Sequence, residues 1–300
     1  MKARLFLSFL ILASAPYGLF AHQDAPKITY KATEVGKGLY MLEGQGGFAG
    51  GNLGLLVGED GVILIDDGLP PLAETMKAAI AKLTKSSVDF VINTHVHGDH
   101  TGGNVAMTEA GATIVAHDNI RAHMVAKGVP SGNGTVPAPK DALPVITFSD
   151  QVSFHLNGQQ AKVIHVPHGH TDGDAFIHFT GLNVIHTGDM MFHGLFPFID
   201  LDSGGSVNGY ISGQKKILSL ADDNTKIIPG HGPLASKADL QAAVDMLEDA
   251  KALVATMVKA GKSEDEVVAA NPLVKYHEKW NWGFITTERM TRTLVRGLSK

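Results

Sequence analysis

Apolar residues fall along this chain in short runs separated by polar and glycine-rich breaks. Runs with strand character recur at 38–42, 53–57, 62–65, 90–92, 113–116, 152–156, 162–166, 175–179, 184–186 and 226–228; each is short, and β-branched residues recur in most of them. Patterns with apolar positions three and four apart predict helices at 72–83, 119–127, 207–220 and 237–258. The turn Gly58-Glu59-Asp60-Gly61 predicts a hairpin between early strands. Later strands alternate with helices, as in layered α/β proteins. Residues 128–144, with Pro130, Pro137, Pro139 and Pro144, read as one long surface loop. Two more helical stretches, 264–269 and 286–298, follow 237–258, and their apolar spacing suits docking onto the body of the protein. Trp280 and Trp282 either anchor this tail or reach the rim of a site.

The segment 44–51, Gly-Gln-Gly-Gly-Phe-Ala-Gly-Gly, has the glycine spacing of a dinucleotide fingerprint. A strand-like run follows it, where a helix N-terminus would be needed to hold a pyrophosphate. It reads as a hairpin tip, with Phe48 either folding over a substrate or capping the tip.

With 300 residues, 44% hydrophobic and 18% charged, the chain can bury a large core. Residues 1–21 combine Lys2 and Arg4 with an apolar stretch too short to span a bilayer, which predicts a signal peptide cleaved after Ala21 and a periplasmic or secreted protein. Residues 22–234 are expected to form the main domain, with 235–300 as helices docked on it. The chain has no cysteine, which excludes disulfides and a lipid-modified cysteine, so no stable membrane anchor is expected. A net charge of −5 without Lys/Arg clusters argues against nucleic acid, because phosphate contacts need a basic patch.

Chemistry concentrates in Thr94-His95-Val96-His97-Gly98-Asp99-His100-Thr101. Neutral imidazole and ionised carboxylate suit zinc or iron. Two residues apart on an extended chain, His95 and His97 point the same way, and Gly98 lets the backbone turn Asp99 and His100 toward a second ion. Three other strand ends offer His170, Asp189 and His231. Shared between two ions, the seven suggest His95, His97 and His170 on one metal, Asp99, His100 and His231 on the other, and Asp189 bridging.

In these residues, and in Asp66 at an early strand end, the chain resembles the metallo-β-lactamase superfamily from about 38 to 232. The resemblance implies an α/β protein built as an αββα sandwich, two mixed sheets face to face with helices outside, and metals in a groove along one edge. It favours His170 over His168 as a ligand and gives Asp66 an orienting role. For His117, His165 and His186 it leaves open a hydrogen-bonding role behind the ligands or an ordinary structural one.

The expected chemistry is that of an exported dinuclear zinc hydrolase, with iron or manganese as other metals. Zinc brings bound water to a pKa of about 7, and the resulting hydroxide would cleave a small carbonyl substrate: a β-lactam amide, lactone, ester or thioester. Asp99 would orient the nucleophile and carry a proton to the leaving group. A net positive centre suits an anionic substrate. Class B β-lactamases place Cys or Ser where this chain has Asp189, and many of the Cys enzymes carry Lys where it has Phe192; Asp at that position looks like thioesterases and lactonases. The alternatives are a mononuclear iron enzyme resembling persulfide dioxygenases and a non-catalytic periplasmic metal-binding relative.

Overall fold

The computed structural model describes residues 27–131 and 134–298; the signal peptide expected at 1–21 lies outside them. A seven-stranded sheet runs in the order Thr29–Gly36, Leu39–Gln45, Leu53–Leu56, Ile63–Ile65, Phe90–Ile92, Thr113–His117, Ile146–Phe148. Its first four strands pair antiparallel and its last junctions are parallel. A six-stranded sheet follows, Gln151–Leu156, Gln159–His165, Ala175–Phe179, Val184–His186, Lys226–Ile228, Ala235–Ser236, antiparallel except where Val184–His186 meets Lys226–Ile228.

Alternation along the strands sorts side chains between cores. Ile63 and Ile65 enter the layer between the sheets, with Ile92, Val163, Ile177 and Ile228. Leu64, Val91 and Ile114 point the other way, onto the helices Ala73–Ile80 and Asn104–Glu109 through Met76, Ile80 and Met107. On the second sheet, Phe176, Ile185 and Ile227 face outward into a core completed by Val207–Leu220, Lys237–Lys259 and Thr287–Leu298. These layers are the expected αββα sandwich, and the C-terminal helices share the outer core of the second sheet. Ser236 starts the long helix with a capping box to Asp239. Among the described residues, no helix is long and apolar enough to cross a membrane.

One expectation changes, and one strand was not foreseen. Residues 128–144 are not one loop: Val129–Ser131 pairs with Gly134–Val136 as a small hairpin, followed by a 3-10 turn at Lys140–Ala142. Its strands are three residues each and mostly exposed, so no apolar run announces them. The edge strand Thr29–Gly36 is similarly quiet, since only Tyr30 and Val35 are buried along it.

If the C-terminal helices are part of the core, Leu247→Ala, deep between helix and sheet, should cost about 2–5 kcal/mol by urea denaturation. Val274→Ala, on the exposed surface, should stay within about 0.5 kcal/mol. Equal, small effects would mean the tail packs loosely.

Candidate metal centre

All seven side chains converge at one edge of the sandwich, beyond the ends of Phe90–Ile92, Gln159–His165, Val184–His186 and Lys226–Ile228. A four-residue helix, Gly98–Thr101, turns the chain after His97, bringing the His100 ring to 4.1 Å from that of His95 and Asp99 toward His231. Ligand atoms of His95, His97, His170 and Asp189 lie within 4.8 Å of one another, and so do those of Asp99, His100 and His231. Asp189 faces both groups. Its Oδ2 lies 3.5 Å from His170 Nε2 and 3.7 Å from His95 Nε2, and its Oδ1 lies 3.1 Å from His100 Nε2 and 3.5 Å from His231 Nε2. His168 is outside the cluster, bound to the Gly204 carbonyl.

The close approach depends on glycine. A Cβ on Gly51 would sit 2.1 Å from the His100 ring, and one on Gly230 would sit 2.0 Å from Asp189 Oδ1, so neither position admits a side chain without displacing a ligand.

Four of the five rings are held from behind. His100 Nδ1 lies 2.7 Å from Asp66 Oδ2, His170 Nδ1 2.7 Å from the Phe198 carbonyl, and His97 Nε2 3.0 Å from Asp200 Oδ2. Thr94 Oγ1 donates to Asp66 Oδ2, which leaves it to accept from His95 Nδ1 at 3.0 Å. In each case the outer nitrogen carries the proton and the inner one presents a lone pair. The consequence is that His97 Nδ1 and His170 Nε2 face each other at 2.8 Å, which two lone pairs tolerate only with a proton or a cation between them. His95 Nε2 and Asp189 Oδ1 are buried without a hydrogen bond; the His100 contact to that oxygen is close, but it is not aligned as one. Orphaned donor atoms around two carboxylates fit a divalent cation.

Titration behaviour follows from the same charges. Burial drives His95 well below the usual imidazole range, with the His100 charge adding to it, and burial with His97 nearby brings His170 down to about 4. Burial also opposes charging His100, yet Asp189, Asp99 and Asp66 outweigh it and hold its pKa well above normal. His231, likewise buried, is raised to about 9, chiefly by Asp189. For Asp189, burial is overcome by His100, His231 and His95, and its carboxyl stays well below the ordinary value. Without a cation, then, protons on His100 and His231 supply the positive charge the carboxylates require.

Asn52, which carries no sequence signal, and His186, whose role the sequence left open, support the cluster from behind. Asn52 Nδ2 donates to the Pro229 and Gly232 carbonyls at 2.9 and 2.8 Å, and its backbone N–H to Gly230, clamping the turn that bears His231 from 177 residues away. His186 donates to the Asn52 carbonyl at 3.2 Å and accepts from Gly188 N–H, tying the Asn52 and Asp189 segments together. His117 and His165 stack on each other at 3.7 Å; they lie outside the cluster. Trp280 is buried in the outer core. Trp282 instead lines a groove of about 580 Å³ over the cluster, with Phe48, Phe192, Phe198 and Phe284.

Comparison with known proteins agrees with this architecture. Residues 46–231 match the family described as "Metallo-beta-lactamase superfamily". A hydroxyacylglutathione hydrolase from Pelagibacter ubique (strain HTCC1062) is 31% identical over 47% of this chain, and the match spans about half (51%) of that relative's length. Acyl-coenzyme A thioesterase MBLAC2 from Bos taurus is 24% identical over 67% of this chain and 81% of its own. The solved structure of a metallo-beta-lactamase from Pontibacter korlensis superposes with a TM-score of 0.61 at 16% identity, covering 74% of this chain and all of that one; at this identity it shows the fold alone.

Asn52→Ala removes both side-chain bonds to the His231 turn. It should lower affinity for a divalent ion about 10–100-fold, read by competition with a chromogenic chelator; unchanged affinity would show that the turn holds itself.

Proposed function

The chain belongs to the metallo-β-lactamase superfamily, and we propose that it is a dinuclear zinc hydrolase of an ester, thioester or lactone carbonyl, acting as an exported protein. The observation that carries this reading is the position of Asp189, one oxygen toward each of two histidine groups, on the floor of an open groove. His95, His97 and His170 would hold one ion, Asp99, His100 and His231 the other, and Asp189 would bridge them. Ions bound there would supply Lewis acidity and a water of lowered pKa.

The protein's own groups supply placement and proton traffic. Asp99 lines the groove with its Oδ2 3.3 Å from His231 Nε2. Burial opposes its ionisation, but His100 and His231 prevail and keep its pKa below the ordinary value, so it is a carboxylate able to orient water and accept its proton. Handing that proton to the departing oxygen or sulfur closes the reaction: water and the ester or thioester become a carboxylic acid and an alcohol or thiol. The partially hydrophobic lining and the carboxylate at position 189 favour acyl esters, thioesters and lactones over the β-lactam amide, which remains an arm of the test.

The test is hydrolysis by the zinc-loaded protein across matched thioester, ester, lactone and chromogenic cephalosporin panels, with metal counted per chain. Two zinc ions per chain and turnover that falls at least about 100-fold in Asp99→Ala are expected. One iron per chain with oxygen consumption, or two zinc ions and no turnover on any panel, would overturn the proposal.

A further inference from the structure

The groove over the cluster is walled by a continuous arc of rings. Phe192 stacks on His231 at 5.0 Å, Trp282 follows at 6.0 Å from Phe192, Phe284 at 5.6 Å from Trp282, Phe198 at 5.3 Å from Phe284, and Phe198 stacks on His97 at 5.5 Å. The arc therefore runs from a histidine of one group to a histidine of the other, and its middle two members come from the C-terminal tail. Phe48, on the hairpin tip, stacks on His231 at 6.0 Å and lines the same groove. Phe48 and Phe284 are 60% and 48% exposed, so each keeps a face open toward a space of about 580 Å³, ample for a small organic molecule.

Charge points the same way. Apart from the cluster's own His97, Asp99, Asp189 and His231, the lining is apolar or glycine, and among the described residues no Lys or Arg lines it. Arg289, the nearby cation, packs its guanidinium 4.2 Å from the Phe284 ring, donates to the Phe284 carbonyl and lines a different cavity. A substrate carboxylate would thus find no side-chain partner along the wall, and bringing it there would cost its hydration. A flat apolar group would meet ring faces and edges.

Resting on the hydrolase reading above, we propose that the substrate carries an uncharged aryl group beside its reactive carbonyl, seated between Phe48 and the arc, and that Trp282 and Phe284 set this preference. The test uses thioesters of 2-mercaptoethanol, which hydrolyse to a carboxylic acid and 2-mercaptoethanol. Thiol release is read colorimetrically without interference, because the chain has no cysteine. For the phenylacetyl thioester, kcat/KM should exceed that of the acetyl thioester by about tenfold or more, and the succinyl thioester, with its free carboxylate, should do no better than acetyl. Phe284→Ala should pull the phenylacetyl-to-acetyl ratio toward one, mainly through KM. Independently of turnover, 2-phenylacetamide should quench Trp282 fluorescence saturably in the metal-free protein, whereas acetamide should not, and Trp282→Phe should remove the signal. An active enzyme that prefers succinyl, or shows no aryl preference, overturns the aryl site. Saturable phenylacetamide binding without hydrolysis of any thioester, ester or lactone upholds the aryl site and overturns the hydrolase reading beneath it.

Discussion

The centre depends on burying the Asp189 carboxylate at the edge where the two sheets meet. A carboxylate taken out of water costs several kcal/mol unless a positive charge meets it, and this one has histidines on both sides. The sandwich makes that possible by ending strands from both sheets at one place. His95 and His97 come from the first sheet, and His170, Asp189 and His231 from the second, so the cluster is assembled only when the inter-sheet core has closed.

The imidazoles are prepared for this task by groups behind them. Asp66 is the centre of that support. With φ at 56° it occupies a conformation uncommon for a residue with a side chain, and there it receives the Thr94 N–H, the Thr94 hydroxyl and His100 Nδ1. One buried carboxylate thereby holds His100 directly and His95 through Thr94. Those bonds keep the lone pairs aimed inward, and the mutual repulsion of aimed lone pairs and carboxylates is the state a cation relieves.

The sequence displayed the ligands more clearly than what holds them. Metal chemistry forces unlike polar residues into one short segment, so His95 to His100 stand out, and His170, Asp189 and His231 each occupy a glycine-flanked strand end. Asn52 and Asp200 have no such context, since their partners lie 177 and 103 residues away and only the fold brings them near. The layering was hidden for a different reason. Leu53–Leu56 and Ile63–Ile65 are buried at every position because both faces of the sheet are covered, so they read as unbroken apolar runs and say nothing about which side faces which layer. The sandwich was legible through family likeness, and the Thr29–Gly36 edge strand and the 129–136 hairpin through neither.

Ligand support and groove wall are coupled on one side of the site and separate on the other. In residues 198–200, the Phe198 ring stacks on His97, its carbonyl accepts from His170, Asp200 bonds His97, and the Asp200 N–H bonds the His170 carbonyl. A change of side chain there alters the wall of the groove and the aim of two imidazoles together. Phe284 makes ring contacts with Phe198 and Trp282, and Trp282 is fixed by its indole N–H to the Phe196 carbonyl. The tail can therefore reshape the groove while the Asp66, Asp200 and Asn52 bonds stay in place. A fold that takes its ligands from strand ends and part of its wall from a docked tail can change what it accepts without dismantling the centre, and the C-terminal helices position the part of the wall that is free to vary.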